Sequence, residues 1–233
     1  MTLYYILFFG GVALYLGYMF YLKGKNARLA GTVDKADFKS ESAHAERYKQ
    51  EYLNEGLSSL KKAMGQEPVD AFNYASFEYG MGNALKDGLK DRLKGMATLG
   101  TVKFHTVNTP KYLVLSGDTL HLFDTDTDGD LDGHLVFNRE RLEQSGIAEY
   151  PLEGQAKAQA ESRSHNIRAW KLTLPTDDKP LELIIYSSLI FTNIPEIATD
   201  PQQTIEEIVI ACDFLKRLGE RYPNLKVALP FFG

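Results

Sequence analysis

Residues 111–126 read KYLVLSGDTLHLFDTD, and this stretch decides the fold. Leu113 and Leu115 on one side of SGDT, and Leu120 and Leu122 on the other, recur at every second position among β-branched and aromatic residues. That period is the mark of strands, and Gly117-Asp118 between them supplies turn chemistry, so the stretch predicts a β-hairpin. Working outward, TVKFHTV (101–107) and HLVFN (134–138) have the same character. Downstream, RAWKLTLPTDDKPLELIIYSS (168–188) predicts two further strands about a TDDK turn, and GQAKAQAESRSH (154–165) predicts a mobile polar loop. About six strands in hairpin order predict an α+β fold whose largely antiparallel sheet occupies residues 101–188.

A helix is predicted over 201–222. Asp200 is a natural N-cap, Pro201 suits the first helical position, and Ile205, Ile208, Val209, Cys212, Leu215 and Leu218 form one apolar face. Gly219 and Pro223 are expected to help end it. Cys212 is the only cysteine, which excludes an intrachain disulfide, and its apolar neighbours mark it as a core residue. Trp170 is expected to be a core anchor. A second helical stretch is predicted over 69–97 from Leu85, Leu89, Leu93 and Met96. A third, over 37–65, carries the stripe Tyr48, Tyr52, Leu53, Leu57, Leu60 and Met64. This third helix is either a stalk beside the membrane or packed on the domain.

KYLVLSGDTLHLFDTD, RAWKLTLPTDDKPLELIIYSS and the helix that follows resemble, in their order, the bacterial pleckstrin-homology-like (PH-like) proteins. The resemblance spans residues 100–225. It implies a bent antiparallel half-barrel closed by the C-terminal helix, with RLEQSGIAEYP (141–151) supplying a seventh strand. Members of the family that bind lipid carry a basic cluster between early strands. This chain has aspartates there, so the resemblance implies a protein partner and not a phosphoinositide.

At the other end, residues 3–22 read LYYILFFGGVALYLGYMFYL without a charge. About 20 apolar residues at 1.5 Å each match a bilayer core, so the run predicts a single-pass transmembrane anchor (residues 1–22), a connector and juxtamembrane helix (23–66) and a globular domain (67–233). A cleaved signal peptide would want a basic start and a shorter run. Lys23, Lys25 and Arg28 follow at once, which predicts the N-terminus outside the cell membrane and the domain in the cytoplasm. Tyr4, Tyr5, Tyr18, Phe20 and Tyr21 sit where interfacial aromatics sit. Ala13 and Gly17 form a small-xxx-small pair through which two such helices could dimerise within the lipid bilayer.

The sharpest chemical motif is DTDTDGDLDG (124–133). Asp124, Asp126, Asp128, Asp130 and Asp132 bring carboxylates together around Gly129, as loops for Ca2+ do. The loop resembles the D-x-D-x-D-G-x-x-D calcium loops found between strands, but Leu135 stands where an EF-hand would place a bidentate glutamate. The second reading is a solvated hairpin tip using Asp and Gly for turn geometry. A weak calcium site also conflicts with a cytoplasmic domain. His105, His121 and His134 lie in or beside neighbouring strands, with no further ligands at zinc-site spacing. No nucleophile elbow, phosphate loop or dinucleotide fingerprint occurs, so no catalytic residue is assigned. The net charge of −5 argues against a nucleic-acid partner. The expected function is a membrane-tethered interaction or scaffold module holding a protein partner at the membrane surface. The alternatives are a calcium-structured membrane-anchored domain and an enzyme.

Overall fold

A computed structural model describes residues 2–77, 111–125, 131–177, 179–190 and 200–232; for residues 2–9, 13, 19 and 155 it describes the backbone alone. Seven strands form one antiparallel sheet in the order β4-β3-β2-β1-β7-β6-β5. They are β1 (Ala71–Phe77), β2 (Lys111–Ser116), β3 (Thr119–Thr125), β4 (Leu131–Phe137), β5 (Gly146–Tyr150), β6 (Ala169–Leu174) and β7 (Leu181–Tyr186). The hairpin expected from residues 111–126 is present, with Ser116 facing Thr119 across Gly117-Asp118. Gly117 takes a φ of 51°, a conformation that glycine adopts without a Cβ penalty. The strand anticipated in RLEQSGIAEYP is β5.

Four short helical pieces precede the sheet: α2 (Phe38–Glu41), a 3-10 turn (Ser42–His44), α3 (Ala45–Glu55) and α4 (Ser58–Met64). Within the sheet lie α5 (Arg139–Glu143) after β4 and α6 (Gly154–Arg163) after β5; α7 (Pro201–Arg221) follows β7. The expected cap of α7 is made: the Asp200 side chain accepts from the Gln202 amide at 2.9 Å, with Pro201 next.

Both faces of the sheet are covered. Leu113, Leu115, Leu120 and Leu122 cluster with Trp170 and with Phe214, Leu215 and Leu218 of α7. Each such side chain contributes about 1.5–3 kcal/mol on full burial. On the opposite pleat, Phe72, Val114 and Phe123 join Tyr48 and Leu53 of α3, Leu60 and Met64 of α4, and the first half of α7. The stripe read from residues 37–65 therefore packs on the domain. Cys212 lies in that cluster, and its thiol donates to the Ser187 carbonyl at 3.6 Å.

Three expectations are corrected. Among the described residues no helix is long and apolar enough to cross a membrane, so residues 3–22 are not assigned as a single-pass transmembrane helix. They belong to α1 (Thr2–Val33), which continues without a break through Lys23, Lys25 and Arg28, so the expected connector is helical. Leu29, Ala30 and Val33 are buried in the domain core.

Secondly, the helix expected over 69–97 begins as a strand. β1 is central and buried on both faces, so its sequence AFNYASF carries no period of two to betray it. The remainder of that expected helix, and the strand expected at 101–107 with His105, lie outside the described residues. Thirdly, residues 154–163 are helical and not a loop: α6 turns Ala160 into a cluster with Ile167, Ile184 and Tyr186.

Candidate functional site

The β3–β4 hairpin gathers most of what the sequence singled out. Its strands pair from Leu120↔Phe137 to Asp124↔Gly133, and then a bulge brings Thr125 opposite Leu131, leaving Asp132 as the extra, exposed residue. A Cβ at Gly133 would stand 3.2 Å from the Asp124 Cβ, so glycine here gives the Asp124 side chain room to lie across the pleat. There its carboxylate accepts from the Thr125 amide at 2.9 Å and forms an ion pair with Lys111 of β2. The Lys111 ammonium is buried and sits 4.5 Å from the centre of the Phe77 ring. The first carboxylate of the acidic loop is thus engaged with a lysine, and a cation would have to compete for it. Asp126, Asp128 and Asp130 lie outside the described residues. Among the described residues, no group of three or more His, Cys, Asp and Glu converges to hold a metal ion.

Two of the three expected histidines do meet. His121 on β3 and His134 on β4 are diagonal neighbours on one pleat, with Nδ1 of the first 3.0 Å from Nε2 of the second. His121 Nε2 lies 3.1 Å from a Glu67 carboxylate oxygen and 3.0 Å from Thr119 Oγ1. Thr119 spends its own proton on the Ser116 carbonyl at 2.7 Å. Glu67 can only accept, so the network requires that His121 donate from Nε2 and accept at Nδ1 from His134. Burial holds the His121 pKa below its usual value and the His134 charge pushes the same way, while Glu67 opposes them. His134 stacks on Phe123, ring centres 4.2 Å apart. The pair needs no metal to be satisfied.

The outer edge of this hairpin carries the feature that the sequence reading missed. Among the described residues β4 is the terminal strand, and Leu135 and Val136, on opposite pleats, are 52% and 47% exposed. Two adjacent large apolar residues looked like an ordinary strand interior; only the strand order reveals them as an edge. An edge strand presents unpaired N–H and C=O groups along its length, and natural sheets usually blunt such an edge with charge or proline. Here β4 itself carries one carboxylate, Asp132 near its start, and in the sequence the acidic run from Asp124 leads into that end.

No family model, curated protein or solved structure matches the chain. Its function is read from its own residues.

Proposed function

We propose that the chain is a protein-interaction module with a PH-like sheet, and that its β4 edge receives an extended, basic segment of a partner protein. The observation that carries this reading is the exposed pair Leu135–Val136 on a terminal strand beside an acidic run. A partner strand added there gains main-chain hydrogen bonds, and its alternate side chains cover Leu135 on one pleat and Val136 on the other. Carboxylates at one end favour lysine or arginine at the matching end of the partner. The seven antiparallel strands followed by the α7 helix support the PH-like part of the reading.

Selection of random peptides on the full chain tests it. Enriched peptides should be extended in type, with apolar residues at alternate positions and basic residues clustered at one end. Their affinity should fall at least about ten-fold on Leu135→Glu, Val136→Glu, since each replaces apolar contact with the added strand by a carboxylate that must be desolvated against its apolar side chains. Both positions are exposed, so the variant should keep its melting temperature. Peptides that bind the variant as tightly as the parent, or no enrichment at all, would sink the proposal.

A further inference from the structure

At the other end of the sheet, α6 and the adjoining ends of β5 and β6 enclose a cleft of about 500 Å³, within the size range of small-molecule sites. Its floor is apolar, built from Leu152, Ala160 and Ile167. Its rim is charged but balanced: Lys157 and Arg168 against Glu149 and Glu161. Lys157 and Glu161 face each other one turn apart on α6 at 3.8 Å. Neither the Arg168 guanidinium nor the Glu149 carboxylate has a partner among the described residues, so the cleft offers one open cation and one open anion.

His165 adds an oriented acceptor. Its Nδ1 lies 2.7 Å from Asp34, just beyond the end of α1, and the same carboxylate accepts from Ser164 Oγ. Asp34 therefore fixes the tautomer with Nδ1 protonated, and Nε2 is left to accept. Serine, histidine and aspartate stand together here, but the serine donates to the aspartate and makes no hydrogen bond to the imidazole. The arrangement is a clamp with one open ring nitrogen, not an activated nucleophile.

We propose that this cleft binds a small zwitterion with an apolar body, of the class of apolar or aromatic amino acids. Arg168 takes the carboxylate, Glu149 and His165 Nε2 take the ammonium, and the side chain lies on Leu152 and Ile167. The balanced rim disfavours polyanions such as nucleotides, which would place like charge beside Glu149 and Glu161. The site lies at the β5 end of the sheet, away from the β4 edge, and the inference is independent of the docking reading.

Calorimetric titration of the full chain with L-phenylalanine and L-leucine tests it. Two analogues lacking one end, 3-phenylpropionate and phenethylamine, serve as comparisons, together with phenyl phosphate. At least one of the amino acids should bind, with both one-ended analogues weaker by about ten-fold or more. Arg168→Gln should lower L-phenylalanine to the level of phenethylamine while leaving phenethylamine unchanged. Both rim residues are exposed, so an unchanged melting temperature is expected of Arg168→Gln and Glu149→Gln. Equal binding of the analogues, tighter binding of phenyl phosphate, indifference to Arg168→Gln, or no heat from either amino acid would each overturn the assignment.

Discussion

Gly219 shows how a residue can be misread from sequence. Near the end of an apolar helical stretch it looks like a terminator, yet α7 runs through it to Arg221. A Cβ at that position would stand 2.9 Å from the Lys226 Cα, where the tail after α7 crosses back to bury Leu225. The glycine is there for close approach of two backbones. Gly219→Ala would gain up to about 1 kcal/mol of helix propensity. Pushing the tail away costs about 1–3 kcal/mol, so the melting temperature should fall; a rise would mean that the tail yields freely. His121 supports a prediction of a different kind. Its folded pKa lies below that of a free histidine, so the unfolded chain binds the additional proton. Its contribution to stability is then complete above about pH 6.5 and is lost as pH falls toward the folded value, by at most 1.4 kcal/mol per pH unit. Urea denaturation between mildly acidic and neutral pH should show this slope, and His121→Phe should flatten it. An unchanged slope in the variant would assign the proton elsewhere. The meeting of His121 with His134 was legible because neighbouring strands of one hairpin are local in sequence. Its tie to Glu67 was not, and neither was the contact of His165 with Asp34 across 131 positions.

Elements were legible where their burial is one-sided. α7 declares itself by its cap and its stripe, and the β2–β3 hairpin by alternation about a turn. β1 hides because both of its faces are covered, and α6 because alanine and glutamine gave it no apolar stripe. What α6 contributes to its contact with α7 is an ion pair. Arg163, at its last position, meets Glu207 with both side chains buried, and Tyr52 and Gln203 donate to the same carboxylate at 3.2 and 3.0 Å. Burial, with the Glu207 charge beside it, raises the Tyr52 hydroxyl far above its usual range, so it serves as a donor at every physiological pH. Glu207→Ala leaves a buried guanidinium and should cost about 3–5 kcal/mol by chemical denaturation. Arg163→Met combined with Glu207→Leu removes both charges and should cost clearly less than Glu207→Ala alone. A double variant as unstable as the single one would show that the charges stabilise in their own right.

Over the whole molecule, the sheet is organised about β1. It pairs with β2 on one side through Ala71↔Leu115 to Ala75↔Lys111, and with β7 on the other through Ala75↔Ile185 to Phe77↔Leu183. The far end of α7 ties the same region down. Arg221 donates to Asp70, just ahead of β1, at 2.7 Å and also to the Gly117 carbonyl, while the Tyr222 hydroxyl reaches the Asp118 carbonyl at 2.8 Å. These contacts have a consequence in time. A ribosome delivers β1 to β4 first; β7 begins about 45 residues later and α7 is complete only after about 85, at roughly 5–20 residues per second. For several seconds the nascent chain holds a half-sheet whose eventual central strand, β1, has one open flank, with its covering helix not yet made. That interval, more than the finished fold, is where this chain is exposed to pairing with a copy of itself, and where a chaperone would have something to hold.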